Sequence, residues 1–438
     1  MVKRIRLRFN DPAGRGAAAA AAVALSLATI GCGGAAIVAP SPRASAPFGQ
    51  LTPAAKSALG EALQATATHD RARDWSPAIC AEVAARFLEA DAPGVPVPSY
   101  DAGLVRGRCA DEGAARALFE AALQRDPAFF PARAALARAD AAAGPAGLDR
   151  AIAGVEAAVE ASRFSNEGAL VLLGTLQMKR GRPAAGPSDE GDLARARRSF
   201  QRALAIDDGS LAALNQLALA HLAAARSGAK KGDAQALELA RLVCSQAMQK
   251  DPRYAAIHNT AGLVEVALGN LPRAATAFGE ARRLDPTSFE AQMNFAAVNV
   301  GFRGYAPAEE AYRAALALRP DDYDARLGLS LALRAQIDEE RGPTLVPLAE
   351  RELAKAKSLA PERPEAYYNE AILAEEYGGR WGSEQDRALA RARAKELFTT
   401  FLARAGDAPA FADAKARASE RLREIDELTR FLPPEGTP

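Results

Sequence analysis

The sequence is poor in aromatic residues, histidine and cysteine, and it carries almost no net charge. Its 438 residues include 6% aromatics, 3 histidines and 4 cysteines, and the formal charge is +1. Four cysteines are too few for a disulfide-stapled fold, and a near-zero charge gives no electrostatic case for a nucleic-acid partner. The hydrophobic fraction is still 49%, carried mostly by alanine and leucine, which are strong helix formers. These features predict an all-α protein.

The N-terminus has the layout of an export signal. Five basic residues and one acidic residue precede a charge-free stretch whose apolar core is Ala17–Ile30, shorter than the ~20 residues of a membrane-spanning helix. The residues Ala28–Gly31 followed by Cys32 resemble the lipobox of bacterial lipoproteins, although Thr29 stands where that motif usually has leucine. The resemblance implies that residues 1–31 are a signal peptide and that Cys32 carries the lipid anchor. The alternative is an ordinary signal peptide with an incidental Cys32. Removal of residues 1–31 lowers the formal charge from +1 to −3.

One residue pattern recurs through the rest of the chain. A small residue is followed four positions later by an aromatic or apolar residue, three later by a second small residue, and five later by a helix-ending proline. The complete copies are Ala115/Phe119/Ala122/Pro127, Ala240/Cys244/Ala247/Pro252, Ala274/Phe278/Ala281/Pro286, Ala308/Tyr312/Ala315/Pro320 and Ala349/Leu353/Ala356/Pro361. Incomplete copies end at Arg163, Asp208 and Gly406. Two successive intervals of 34 residues, ending at Pro286 and Pro320, resemble the tetratricopeptide repeat (TPR), which has two antiparallel helices per 34 residues.

This resemblance implies a right-handed superhelical solenoid of about eight TPR-like helix hairpins, because one hairpin buries its apolar stripe only against its neighbours. The solenoid is expected over residues 77–406. It is preceded by a flexible tether at residues 32–50 and an N-terminal helix within 51–76, and it is followed by a capping helix and tail at 407–438. The longer intervals predict inserts between the two helices of a hairpin, at residues 180–189, 227–232, 338–343 and 378–384.

Two cysteines are placed to form a disulfide in the first hairpin. Its turn centres near Gly94 and Val95; Cys80 lies fourteen residues before Gly94, and Cys109 lies fourteen residues after Val95. In an antiparallel helix pair, equal distances from the turn put two residues at the same height. An exported protein also meets an oxidising compartment. The alternative is two unpaired buried thiols. Cys244 stands at the aromatic position of its repeat, which predicts a small buried hydrophobe.

No catalytic, metal-binding or cofactor-binding residues are predicted. The sequence has no phosphate-binding glycine loop, no Gly-x-Ser-x-Gly motif and no Cys-x-x-Cys pair. His69, His221 and His258 have no second histidine or carboxylate at ligand spacing, so we expect them to be structural. The prediction is therefore a non-enzymatic protein without a cofactor or a small-molecule substrate.

The working surface is expected to be a groove. In TPR proteins the first helix of each hairpin lines a concave groove that commonly binds peptides, and the resemblance carries this expectation to the present chain. Side chains that could bind a peptide backbone are Asn215, Asn259, Asn294 and Asn369, seven or eight residues after the repeat ends. Acids that could bind a basic partner are Glu290, Asp324 and Glu365, with Glu375 and Glu376 beyond them. An apolar floor is expected from Leu219, Leu263 and Leu331.

This arrangement predicts a partner segment with apolar and basic residues. The alternative is that the asparagines belong to the repeat itself and that the acids merely stabilise helix starts.

The closing segment Arg393–Gly406, together with the lipobox, resembles the TPR lipoproteins of the myxobacterial adventurous gliding machinery. The resemblance implies a membrane-anchored scaffold that binds envelope proteins through its groove. It is expected to face the periplasm, with the outer membrane favoured over the inner membrane. Two alternatives stay open. One is a TPR lipoprotein of another envelope assembly, such as a pilus pilotin or an accessory of outer-membrane protein insertion. The other is a lipoprotein enzyme that uses its repeats only for docking.

Overall fold

The structure is a computed structural model that describes residues 51–72, 74–185, 189–227 and 232–431. The described residues form nineteen α-helices and one short 3-10 helix, which confirms the predicted all-α class. The predicted signal peptide, the lipid-anchor residue Cys32 and the tether at 32–50 lie outside the described residues.

The helices follow one another with short connections. Their bounds are α1 (Pro53–Ala72), α2 (Pro77–Glu89), α3 (Val97–Arg108), α4 (Glu112–Arg125), α5 (Phe130–Ala142), α6 (Pro145–Ala161), α7 (Glu167–Arg180), α8 (Asp192–Ile206), α9 (Leu211–Ser227), α10 (Gly232–Lys250), α11 (Ala255–Ala267), α12 (Leu271–Leu284), α13 (Phe289–Gly301), α14 (Tyr305–Leu318), α15 (Tyr323–Arg334), α16 (Gly342–Leu359), α17 (Glu365–Tyr377), α18 (Glu384–Ala405) and α19 (Ala412–Phe431).

The chain divides into two compact units between Thr260 and Ala261, within α11. In the first unit α3 packs on α4, α5 on α6, α7 on α8 and α9 on α10. In the second unit α13 packs on α14, α15 on α16 and α17 on α18. With α11 and α12 these are eight hairpins, the number predicted, but the pairing differs at the start: α3, expected to form the first hairpin with α2, is paired with α4, and α2 packs on α3 ahead of the eight hairpins. The predicted right-handed superhelical path stays a prediction.

The recurring small and aromatic residues pack against each other inside the hairpins. The ring of Phe200 on α8 lies against Gly174 on α7, and the ring of Phe278 on α12 lies against Gly262 on α11. A Cβ atom at either glycine would overlap the ring, so these two hairpins need a glycine there. Both phenylalanines are fully buried. Gly262 stands ten residues after the repeat end at Pro252, and the same count from Arg163 gives Leu173; in the structure its neighbour Gly174, and not Leu173, lies against the ring of Phe200.

The connections agree with the predicted inserts. Residues 181–191, 335–341 and 378–383 join the two helices of their hairpins, whereas residues 228–231 lie outside the described part. Ser383 begins α18 with a capping box, in which the Ser383 hydroxyl accepts from the Asp386 amide and the Asp386 carboxylate accepts from the Ser383 amide. The capping box satisfies backbone amides at the first turn of α18, so it fixes the residue at which the insert ends and the helix begins.

The capping helix expected within residues 407–438 is present. The structure has a 3-10 turn at Pro409–Phe411, followed by α19. Ala418 and Ile425 are buried against α18, but Leu428, an apolar position at helical spacing from Ile425, is 56% exposed. The exposed face of α19 is rich in arginine and glutamate, as expected of a helix at the end of a stack.

Candidate protein-interaction site

Two of the four predicted asparagines form hydrogen bonds within the protein. On α9, the Oδ1 atom of Asn215 accepts a hydrogen bond of 2.7 Å from the Thr260 hydroxyl, and both residues are buried. On α17, the Nδ2 atom of Asn369 donates to the Glu365 carbonyl of its own helix at 2.8 Å. Asn259 and Asn294 are half-buried on α11 and α13. For Asn215 and Asn369 these contacts favour a structural role, while their peptide-binding role stays a prediction.

The three predicted acids lie in ion pairs with arginines from the ends of hairpins. Arg319 Nη2 lies 2.9 Å from Glu290 Oε1. Arg363 Nη2 lies 2.9 Å from Asp324 Oδ1 and 3.2 Å from Glu365 Oε1, so it joins these two acids. The carboxylates are therefore neutralised locally, which supports the alternative that they stabilise the stack. Their role in partner binding stays a prediction.

Each of these arginines also covers an aromatic ring at a helix start. Arg319 Cζ lies 4.0 Å from the Phe289 ring centroid, and Arg363 Cζ lies 3.7 Å from that of Tyr323. The Tyr323 hydroxyl accepts from the Ala366 amide at 3.1 Å. Burial raises the pKa of Tyr323, and the Glu365 carboxylate raises it further. The hydroxyl thus stays protonated and joins the starts of α15 and α17.

Sequence reasoning missed these arginines. The available clue was their position, since Arg319 directly precedes the repeat-ending Pro320 and Arg363 follows Pro361 by two residues. An aromatic residue followed by an acid opens the first helix of each hairpin concerned, as Phe289–Glu290 in α13 and Tyr323–Asp324 in α15. Recognising both patterns would have predicted ion pairs instead of open acidic ligands.

Glu375 and Glu376, expected to extend the acidic surface, are bound by the last helix. Arg421 on α19 donates to Glu375 Oε2 at 2.6 Å through Nη1 and to Glu376 Oε1 at 3.1 Å through Nη2. Burial raises the pKa of Glu375, and the hydrogen bond from Arg421 opposes that shift. The expected apolar floor is present in part: Leu263 is buried, while Leu219 and Leu331 are half-buried.

Cys80 and Cys109 are joined by a disulfide in the structure. Their Cα atoms are 6.4 Å apart, and the bond links α2 to the residue that caps α3. Two glycines, Gly103 and Gly107, lie within α3 without breaking it, and Gly103 faces the ring of Phe119. Oxidation of the pair in the mature protein stays a prediction. Cys244 is buried, as its repeat position predicts.

The histidines have the surroundings of structural residues, with one difference from the sequence prediction. His69 does have a carboxylate partner, because its Nδ1 atom lies 2.8 Å from Asp74 Oδ1. His258 Nε2 lies 2.7 Å from the Pro252 carbonyl oxygen, and His221 is buried. Across the described ranges, no group of three or more histidine, cysteine, aspartate or glutamate side chains could hold a metal ion. Among the same residues, no helix has the length and apolar character needed to cross a membrane.

Comparison with known proteins gives similar solved structures but no family assignment. No family model and no curated protein matches the chain. TTC0263, a TPR protein of Thermus thermophilus, is 22% identical over 54% of this chain and 98% of its own, with a TM-score of 0.36. YrrB, a TPR protein with an unusual peptide-binding site, is 18% identical over 50% and 99%, with a TM-score of 0.39. PilF of Pseudomonas aeruginosa is 18% identical over 60% and 97%, with a TM-score of 0.40.

These similarities are too distant to carry an argument about function. What identifies the fold is the chain itself: consecutive antiparallel helix pairs with small residues packed under aromatic rings at the repeat positions. The described residues therefore form TPR-like helix hairpins.

Proposed function

We propose that this protein is a non-enzymatic scaffold that binds other proteins and is held at a membrane by a lipid on Cys32. The observation that carries the proposal is that, within each unit, consecutive first helices lie side by side in a row with half-buried apolar and amide side chains, such as Leu219 in the first unit and Leu331 and Asn294 in the second. A row of this kind can take an extended or helical segment of a partner.

The lipid anchor is supported by the basic and apolar N-terminal segment and by the small residues before Cys32. The disulfide between Cys80 and Cys109 agrees with export to an oxidising compartment. In this proposal the hairpins face the periplasm, and the outer membrane is favoured. Feeding cells an alkyne-tagged palmitate should label the wild-type protein. Cys32→Ala should abolish the label, and Cys244→Ala should leave it unchanged. Labelling that survives Cys32→Ala would refute the anchor.

The assembly served by the scaffold is proposed to be the envelope-spanning gliding machinery. This rests on the sequence resemblance of the segment Arg393–Gly406. Crosslinking of live cells, followed by pulldown from membranes, should recover envelope proteins with the wild-type chain and far fewer with Cys32→Ala. A deletion strain should lose single-cell gliding and keep its pili. Loss of pili, or of outer-membrane protein insertion with gliding intact, would favour another envelope assembly.

A further inference from the structure

The last helix, α19, is held on the second unit by few interactions. Among the α19 side chains that the structure describes, the buried ones are Ala418 and Ile425, which belong to a cluster with Phe398 and Phe401 of α18. By comparison, six residues of α17 are buried. We call the surface of Glu375, Glu376, Phe398 and Phe401 that α19 covers the α17–α18 face. Burial is the main source of helix stability in a stack, so α19 is the weaker of the two helices.

Charge supplies much of the specificity of this contact. Arg421 holds Glu375 at 2.6 Å and Glu376 at 3.1 Å, and Lys395 Nζ of α18 lies 2.5 Å from Asp426 Oδ1 of α19. An arginine that binds two carboxylates at once is a geometrically demanding interaction. The α17–α18 face therefore selects an amphipathic helix with small or branched apolar residues and one arginine.

A second arginine is attracted to Glu376. Arg334 on α15 has a buried Nη1 atom with no hydrogen-bond partner among the described residues. Burial lowers the pKa of Arg334, and Arg421 lowers it further, whereas the charge of Glu376 raises it. Glu376 thus attracts two guanidinium groups, and its carboxylate accepts a hydrogen bond from Arg421. A buried charged donor without an acceptor is costly, and the structure with α19 docked carries that cost at Arg334.

We propose that α19 is an exchangeable occupant of the α17–α18 face, and that an amphipathic helix of a partner protein, with an arginine at the place of Arg421, replaces it. Departure of α19 frees Glu376 to pair with Arg334, which offsets part of the loss. The inference rests on the proposed scaffold function and names the partner chemistry of one surface. The chain outside α19 keeps its hairpins in both states.

The experiment measures binding of a fluorescent synthetic peptide of residues 412–431 to the purified full chain. In anisotropy titrations we expect the peptide to bind the Arg421→Ala chain at least tenfold more tightly than the wild-type chain, because its resident helix is weakened. A peptide with Arg421→Ala should bind the same chain at least tenfold more weakly. The matched control is Arg417→Ala on the exposed face of α19, which should behave as wild type.

Amide hydrogen exchange tests a variant in which α19 should be held more tightly than in the wild type. Arg334→Met removes the second guanidinium group and its like charge, so amide exchange in α19 should slow at least threefold and peptide binding should weaken. Circular dichroism confirms that each variant keeps its helical content. The proposal is overturned if the peptide binds wild type and Arg421→Ala equally, if it binds neither, or if Arg334→Met speeds exchange in α19. Because the probe is the chain's own peptide, these outcomes are independent of whether pulldown recovers an envelope partner.

Discussion

Replacing Asp101 with asparagine should stabilise the first unit at neutral and alkaline pH. Asp101 lies on α3, only 7% of its surface is exposed, and it makes no hydrogen bond or ion pair with the described residues. Burial raises its pKa from the ordinary value of 3.8 to about 7. The ionised carboxylate is therefore disfavoured in the folded protein and costs stability whenever the pH exceeds the folded pKa.

The sign and size of the effect follow from linkage. The folded state binds the proton more tightly than the unfolded state, so the stabilising contribution is complete below pH 3.8. It is lost as the pH rises to about 7. A rise of the pKa from 3.8 to about 7 corresponds to an upper limit of roughly 4 kcal/mol at pH 8. The asparagine side chain carries no charge, so the Asp101→Asn variant should exceed the wild type by about 2–4 kcal/mol at pH 8 and by less than about 1 kcal/mol at pH 4.5.

The assay is urea unfolding followed by the fluorescence of Trp75, which lies between α1 and α2 and packs beside Arg108 of α3. Trp381→Phe in the background removes the other tryptophan. Glu89→Gln is the matched control, because it removes an exposed acid of α2 and should leave the pH dependence unchanged. If Asp101→Asn has the same stability advantage at pH 4.5 and pH 8, or is less stable than wild type at pH 8, burial of the charge is not the cause.

Three further predictions concern the packing and ion pairs. The disulfide closes a loop with a sequence separation of 29 residues, so Cys80→Ala should destabilise the first unit by about 3–4 kcal/mol in urea titrations, and dithiothreitol should reduce the wild type to the same level. Phe200→Ala should lower stability by about 3–5 kcal/mol, whereas Ile206→Ala on the same helix, at a residue 45% exposed, should change it by less than about 1 kcal/mol. Arg363→Met should cost about 1–3 kcal/mol in thermal unfolding of the second unit, because it leaves Asp324 and Glu365 without their shared donor. If Arg363→Met unfolds at the wild-type temperature, the ion pairs of Arg363 with Asp324 and Glu365 do not contribute to stability.

Much of the fold could be predicted from the spacing of residues along the chain, because the repeat pattern identifies the residues that are buried within each hairpin. Ala274, Phe278 and Ala281 are all buried on α12, as their intervals of four and three residues require. The same rule fails by one residue at Leu173, since the sequence does not show which of two adjacent residues faces the ring of Phe200. The prediction that Cys80 and Cys109 lie close together needed only the position of the turn between their helices. The exposure of Leu428, in contrast, depends on which elements pack against α19, and the helical periodicity of the sequence does not contain that information.

The charged surface was harder to predict, because a carboxylate on a helix start looks the same in sequence whether it meets solvent, a partner or an arginine of its own chain. Glu290 and Arg319 are 29 residues apart in sequence, and Glu376 and Arg421 are 45 apart. Only the folded stack brings such pairs together. These ion pairs limit which carboxylates are available to a partner. Acids at the starts of α13, α15 and α17 are already bound within their own unit, while Glu375 and Glu376 are bound by one helix at the end of the stack. If a basic partner is captured electrostatically, displacement of α19 is the step that makes carboxylates available, and mutation of Glu290 should affect stability before it affects binding.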